Sequence, residues 1–580
     1  MIEGSGMATI VHLPATLGER IMTAYDELRK APFNLDEPAI LWVRDVYSSL
    51  DLDDKIGQLF ILIMIGTDEV EFKRIGTLKP GGVTRFFTPD LDFERRVISD
   101  LVSRSKVPPV ISADLEGSRH SFAFGTPVLG QLGLAAVDDV SATERTSEIL
   151  AREGRAMGVR WSFTPVIDIN AAFRSPIVGT RSYGSDVDKI ERHAVAHVRS
   201  LQRNGVAATA KHWPGEGYDD RDQHLVTTTN PLSVEAWKKT FGRLYKTLID
   251  EGVLAIMSGH ISFPAYVRSK VPDADLEAFR PASVSRLLNV DLLRNELGFN
   301  GIIVSDATPM GGLSAWGHHA ETMPDIIANG CDMILFSDAP EKDMAAVKAA
   351  VEDGRITSER LEAAVLRVLA LKAHLRLFKP SDVLPEAAEA RHVLAHPDSI
   401  AASREFIGRS PTLVKDVQGI FPLDPAETKR VLLVDGGIIH PLIPQPLKFV
   451  LPELLEKEGF EVTIDRPDIV PTPDDFDLVI YALGDESLLV RGRIFVDWHR
   501  MGGGGLFKAM YRPWTNIPSI MISFGHPYHL YDAPRVPAYI NAYSTMDSVQ
   551  EAVVDCMLGR KPFVGVNPVD PFCGLEDAHF

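Results

Sequence analysis

Apolar residues follow two alternating rhythms between about residues 50 and 375 of this chain. Short continuous apolar runs predict buried strands at Gln58–Ile65, Gly82–Phe87, Pro109–Ala113, Trp161–Ile167, Ala207–Ala210, Leu254–Ser258, Gly301–Ser305 and Met333–Phe336. Between them, apolar positions three and four apart predict helices such as Ala142–Met157, Asp186–Asn204 and Val234–Glu251. Strands alternating with helices of this length imply parallel βαβ units. About eight such units predict a (β/α)8 TIM-type barrel, with a doubly wound open sheet as the structural rival.

A long helical stretch, Ser358–Leu377, gives way to Pro380, Pro385 and the Ala/Glu/His-rich Ala387–Ala395, which reads as a linker. Beyond it, Arg430–Asp435, Phe476–Gly484, Ser519–Gly525 and Ala538–Ala542 are apolar strands that run up to Gly, Asp or Ala. They predict a smaller α/β sandwich domain. The resulting division is a disordered N-terminus over residues 1–20, a barrel over 21–378, a linker over 379–410 and the sandwich domain over 411–580. Met1–Gly6 reads as a remnant of expression ahead of Met7. Asp435-Gly436-Gly437 lacks a nucleotide-binding pattern, and a strand-to-turn junction is its plain reading. The run Gly502–Gly505 is a flexible loop of the kind that can serve as a lid.

A barrel places its chemistry just after the C-terminal ends of its strands. Asp114, Asp168, Lys211-His212, His260 and Asp306 all stand at such ends. The richest stretch is residues 211–224, Lys-His-Trp-Pro-Gly-Glu-Gly-Tyr-Asp-Asp-Arg-Asp-Gln-His. Its basic pair closes a strand, its glycines allow a tight loop, and the loop ends in Asp222-Gln223-His224. In extended backbone Asp222 and His224 project to one face, which allows a carboxylate–imidazole hydrogen bond. The blander readings are a helix cap for Asp306, a turn cap for Asp114, a loop-fixing role for Arg181 and a structural ion pair for Lys211 and His212. Met310 and Trp213 read as pocket wall or core.

Composition narrows the partners. A formal net charge of −19 argues against nucleic acid and against anionic membranes. No apolar segment has the length to span a bilayer, and no basic region precedes an apolar stretch at the N-terminus, so a cytoplasmic protein is expected. Cys331, Cys556 and Cys573 are widely spaced and suggest neither a zinc site nor a disulfide framework. No metal or other cofactor is implied.

The 211–224 segment resembles the Lys-His-Phe-Pro-Gly-His-Gly-x-x-x-x-Asp-Ser-His signature of glycoside hydrolase family 3, most closely its bacterial β-N-acetylglucosaminidase branch. Leu52–Phe60 (LDDKIGQLF), Asp114–Arg119 (DLEGSR), Gly179–Gly184 (GTRSYG) and Val304–Met310 (VSDATPM) resemble further motifs of that family, in order. Pro411–Asp416 (PTLVKD) and Phe524–Tyr528 (FGHPY) resemble motifs of its sandwich domain. The resemblance implies that Asp306 is the nucleophile, that His224 is the general acid and then base, and that Asp222 orients its imidazole. It implies that Asp114, Arg181, Lys211 and His212 hold the sugar hydroxyls and acetamido group.

Glycoside hydrolysis usually needs two carboxyl groups, and here an imidazole titrating near neutrality would replace one of them. The implied activity is a retaining exo-acting β-N-acetylglucosaminidase working on a GlcNAc-containing oligosaccharide or glycoconjugate. The alternatives are a β-glucosidase or a phosphorylase of the same family. A non-catalytic sugar-binding protein would have lost Asp306 or His224, and both are present.

Three departures from the pattern stand out. Glu216 replaces the second His of the signature, Tyr218 and Asp219 replace its Asp-Thr, and Phe122 stands where the branch commonly has Arg. An acidic loop close to His224 would raise the pKa of that histidine. Phe122 removes a cation suited to an anionic substituent and offers an aromatic face for stacking. The second domain has three open roles: completing the pocket wall through Arg491 and Arg493, mediating a homodimer, or stabilising the barrel.

Overall fold

Eight parallel strands form the first sheet of the computed structural model, which describes residues 24–119, 121–440, 445–492 and 494–580. The segment 1–20 and Arg493 lie outside the described residues. The strands are β1 (Phe60–Met64), β2 (Gly82–Arg85), β3 (Val110–Ala113), β4 (Val159–Ser162), β5 (Thr209–Trp213), β6 (Ala255–Ser258), β7 (Ile302–Ala307) and β8 (Met333–Leu335). They run in the order β4-β3-β2-β1-β8-β7-β6-β5. Parallel bridges from Trp161 to Ala207 and from Val166 to Lys211 join the two ends and close the barrel. The open-sheet rival is thereby set aside. β2, β3 and β6 are buried along their whole length, which is why they read as unbroken apolar runs rather than alternations.

All eight predicted strands are present, with instructive differences at their edges. The run from Gln58 splits because Asp51 caps a helix, Leu52–Gln58, by accepting from the Asp54 amide at 2.7 Å, so β1 starts at Phe60. The predicted strand Trp161–Ile167 ends at Ser162, since Pro165 has no N–H to give a ladder. The predicted helix Val234–Glu251 is two helices, Val234–Lys239 and Phe241–Asp250. Thr240 breaks it: its hydroxyl bonds back to the Ala236 carbonyl at 2.9 Å while its backbone leaves helical geometry. No helix among the described residues is long and apolar enough to cross a membrane.

Residues 379–410 carry two α-helices, Ala387–Val393 and Pro397–Arg409, the second burying Phe406 and Ile407. The second sheet comprises β9 (Thr412–Asp416), β10 (Arg430–Ile439), β11 (Glu461–Ile464), β12 (Leu478–Asp485), β13 (Ser519–Ser523) and β14 (Ala538–Asn541). Its order is β9-β14-β13-β12-β10-β11, parallel except for the β9–β14 pair. Central β12 is wholly buried and was evident from its apolar run, whereas the two edge strands β9 and β11 are partly exposed and carry a weak pattern. A (β/α)8 barrel followed by an α/β sandwich domain is the architecture.

A strap from the second domain lies over the barrel loops. The Leu488 amide donates to the Pro176 carbonyl at 3.1 Å, the Ile494 amide to Arg174 at 3.3 Å, and the Thr180 hydroxyl to the Glu486 carbonyl at 2.7 Å.

The opposite end of the barrel is held by charge. Asp332, fully buried just before β8, faces Arg294, Arg360 and Arg367 and accepts from the Ile303 amide at 3.0 Å. Burial opposes its ionisation, but Arg294, Arg367 and Arg360 together hold its carboxyl below the usual range. Asp332→Ala would leave three guanidinium groups without their shared anion. Removing one partner of a buried pair costs about 3–5 kcal/mol. Here the arginine side chains keep 12–20% exposure, so the lower figure, about 3 kcal/mol, is expected in denaturant unfolding. Because the folded-state pKa is depressed, this stabilisation is present above the unfolded value and lost as pH falls through the folded one. The wild-type advantage should therefore shrink in acid.

Candidate active site

The C-terminal ends of the barrel strands open into a cavity of about 510 Å³. That volume lies in the range of small-ligand sites. Asp114, Arg181, Lys211, His212, His224 and Asp306 all line it, and Asp222 stands directly behind His224. The second domain closes one side with His440, Ser487 and Leu489.

Asp306 sits near the end of β7, and its Oδ1 accepts from the Ala307 amide at 2.8 Å. Burial raises its pKa, but His212, His260 and His224 around it outweigh that and hold the carboxyl below its ordinary value. His260 supports this position from below, with Nε2 2.9 Å from the Ala307 carbonyl and Nδ1 2.8 Å from the Ser283 hydroxyl.

The 211–224 loop supplies most of the remaining groups. Lys211 Nζ lies 3.0 Å from Asp114 and 2.8 Å from Glu116. Arg181 grips the same Glu116 through two bonds of 2.9 Å. Burial disfavours both cations, but their carboxylate partners prevail and raise both pKa values. Lys211 is therefore an ion-pair member, as the plainer reading had it, and also a cavity wall. His212 Nδ1 meets Asp168 Oδ2 at 2.6 Å, which aims its other ring nitrogen away from that carboxylate.

Asp222 and His224 form the second carboxylate–imidazole pair, Oδ1 to Nδ1 at 2.7 Å, with the His224 amide also donating to Oδ1 at 2.8 Å. The other oxygen of Asp222 accepts from the backbone amide of Val490, at 2.9 Å, across the domain boundary. Burial raises the Asp222 pKa, but His224 and the two amides bring it below the ordinary value. Val490 holds its amide there from a left-handed backbone, φ 58°, a conformation that a β-branched residue rarely adopts.

The departures from the signature fall into place differently. Asp219 is held by Arg221 and by the Thr229 amide, and Asp220 is exposed, so neither adds bare charge beside His224. Glu216 is turned inward between Gly215 and Gly217, both at positive φ. A Cβ at Gly217 would lie 1.9 Å from the Ile169 carbonyl oxygen, so only glycine fits. Burial, then Asp168 and Asp222 nearby, push the Glu216 carboxyl well above the usual range. Phe122 lines the cavity, but one of its faces stacks on Phe124 at 5.4 Å and its ring meets Phe87 edge-on at 4.8 Å.

Asp168, His212 and Glu216 offer ligand atoms within 4.8 Å of one another, a spacing that would suit a metal ion. These atoms are already engaged: Asp168 takes the His212 ring and the His212 and Glu216 amides, while Glu216 takes Gln223 and Thr228. The sequence reading left Glu116 and Asp168 without roles although both sit in its motifs or at its strand ends. The contributions of Ser487, Leu489 and Val490 carried no signal at all. Arg491 has its amide bonded within the strap to Leu488, at 2.9 Å.

Comparison with known proteins agrees with this arrangement. A model described as the glycosyl hydrolase family 3 N terminal domain matches residues 51–371. The chain is 36% identical over 570 residues to a Cellulomonas fimi protein named β-N-acetylglucosaminidase/β-glucosidase, covering 95% of this chain and 100% of that one. It is 30% identical over 294 residues to a β-hexosaminidase of Methylobacillus flagellatus, 49% of this chain and 81% of the relative. A solved structure of the β-glucoside phosphorylase BglX bound to 2FGlc superposes with a TM-score of 0.88 at 35% identity, covering 95% of this chain and 100% of that one. The family 3 β-N-acetylglucosaminidase from Paenibacillus sp. str. FPU-7 gives 0.76 at 25% identity, with coverages of 91% and 100%. The family match spans the barrel and the full-length likeness spans both domains, so the chain belongs to glycosyl hydrolase family 3.

Proposed function

We propose that this glycosidase is a retaining, exo-acting β-N-acetylglucosaminidase in which Asp306 is the nucleophile and the Asp222–His224 pair the acid/base. The observation that carries the reading is that a buried Asp306 and a carboxylate-oriented His224 face one cavity. In the first step an Asp306 oxygen attacks the anomeric carbon while His224 Nε2 gives its proton to the departing glycosidic oxygen. In the second, His224 takes a proton from water as the water oxygen attacks the same carbon and releases Asp306. Asp222 fixes the tautomer and offsets the charge on the ring in its protonated form. Lys211, Arg181, Asp114 and His212 would bind the terminal sugar, and the strap closing one wall suits release of a single residue from a chain end.

Phosphorolysis is the second reading. An imidazole is neutral when it acts as base, so it does not repel a phosphate dianion as a carboxylate would. The similarity to structures described as a β-glucoside phosphorylase favours it further.

Product analysis separates the readings. With aryl β-N-acetylglucosaminide and aryl β-glucoside as donors, with and without phosphate, NMR should show faster use of the acetamido sugar and β-configured free GlcNAc as first product. Sugar 1-phosphate formed at the expense of free sugar would make phosphate the acceptor. An inverted first product would remove Asp306 from the nucleophile's place.

A further inference from the structure

Two positions at which the 211–224 segment differs from the signature, Glu216 for His and Gln223 for Ser, touch each other. Gln223 Nε2 donates to Glu216 Oε2 at 3.0 Å, although seven residues separate them. Gln223 is fully buried, and its Oε1 accepts from the His260 amide at 2.9 Å. The second oxygen of Glu216 lies 3.2 Å from the Thr228 hydroxyl, and the Glu216 amide donates to Asp168, the partner of His212, at 2.9 Å.

Gln223 stands between the two members of the acid/base pair. The segment is a turn, with the Leu225 and Val226 amides both donating to the Asp222 carbonyl at 2.9 and 3.0 Å, and Gln223 sits at its first corner. Anchoring Gln223 therefore fixes the direction in which its neighbours point. The backbone is gripped independently: the Gly311 amide donates to the His224 carbonyl at 2.8 Å and the Gly312 amide to the Gln223 carbonyl at 3.1 Å. Those bonds hold the turn by its carbonyls, and the Gln223 side chain holds it from the buried side. A shift of an ångström in a proton donor is costly to catalysis.

We propose that Glu216 and Gln223 act as one positioning clamp that sets the orientation of the Asp222–His224 pair toward the departing oxygen. The inference rests on the reading of His224 as acid/base. In the clamp one Glu216 oxygen accepts from Gln223 and the other meets the Thr228 hydroxyl, and glutamine has the same shape and keeps an oxygen for the bond from Gln223. The clamp is thus predicted to tolerate Glu216→Gln and to fail with Glu216→Ala or Gln223→Ala.

The test measures kcat/KM on two donors, one with a dinitrophenyl leaving group that needs no proton and one with a poor alkyl leaving group that does. Glu216→Ala and Gln223→Ala should each lose about tenfold or more on the poor donor, the value of one well-placed hydrogen bond, and under about threefold on the good one. The double variant should be no worse than either single variant, as expected for residues acting as a unit. Glu216→Gln should stay within about threefold on both donors. Equal losses on both donors, additive singles, or failure of Glu216→Gln to rescue would overturn the clamp. His224→Ala is the reference: if it too is indifferent to the leaving group, the acid/base reading falls and the clamp with it. If it is sensitive while the alanine variants of 216 and 223 are not, the clamp alone falls.

Discussion

Asp306→Asn should lower kcat on an aryl β-N-acetylglucosaminide by about 10⁴- to 10⁶-fold, the scale seen when a covalent nucleophile is removed. The amide matches the carboxylate in size and keeps an oxygen for the Ala307 amide, so binding and melting temperature should barely change. The loss is then assignable to chemistry. Ground-state affinity for a product sugar, measured by calorimetry, is the control. The pH dependence follows from the same surroundings. His212, His260 and His224 depress the Asp306 pKa against the pull of burial, so the carboxylate is lost only below its ordinary value of 3.8. The acidic limb of kcat/KM governed by Asp306 should accordingly lie under that value. A limb well above it, in protein shown by circular dichroism to be folded, would mean that another group titrates in the rate-limiting step.

His224→Ala should cost about 10²- to 10⁴-fold in kcat/KM on a donor with a poor leaving group, the usual range for general acid catalysis. On a dinitrophenyl donor the first step needs no acid, and kcat/KM should fall by about tenfold at most. Turnover on that donor should still slow, because the second step loses its base and the glycosyl-enzyme accumulates. Azide, a nucleophile that needs no deprotonation, should restore turnover and give the β-glycosyl azide. The pattern is specific to a residue that moves a proton in both steps. An unchanged leaving-group dependence, or no response to azide, would direct attention to Glu216, the other carboxyl of the loop, or to a carboxylate of the strap.

The barrel was readable because its strands are apolar runs and several of them meet an ionisable residue at or near their C-terminal ends, as at Ala113-Asp114, Ala210-Lys211 and Ser305-Asp306. Burial on both faces writes that pattern into sequence whatever the tertiary partners are. The edge strands β9 and β11 escaped it because one side of each meets solvent and the pattern dilutes. The same logic divides the site. Asp222 and His224 lie two apart, so a local argument joins them. Asp168 and His212 lie 44 residues apart, and their pairing is decided by barrel closure rather than by spacing. Val490 is 268 residues from Asp222 and contributes a backbone amide, which every residue but proline possesses. No side chain advertises such a contact, and sequence patterns are blind to it. Glu216 was visible as a departure, yet its buried partner Gln223 was legible only once the two glycines flanking Glu216 had turned it inward.

The Val490 amide gives the Asp222–His224 pair a foot in each half of the chain. One oxygen of Asp222 answers to the barrel loop and the other to the strap, so the geometry of the Asp222–His224 pair depends on how the two domains are seated. The second domain thereby reaches the pair through its backbone, besides lining the cavity with His440, Ser487 and Leu489. On the proposed mechanism its seating is a quantity the reaction rate reports: a lesion anywhere that loosens the strap, even on its exposed outer surface, would present in kinetics as a partial defect of proton transfer, with Asp306, Lys211 and Arg181 untouched.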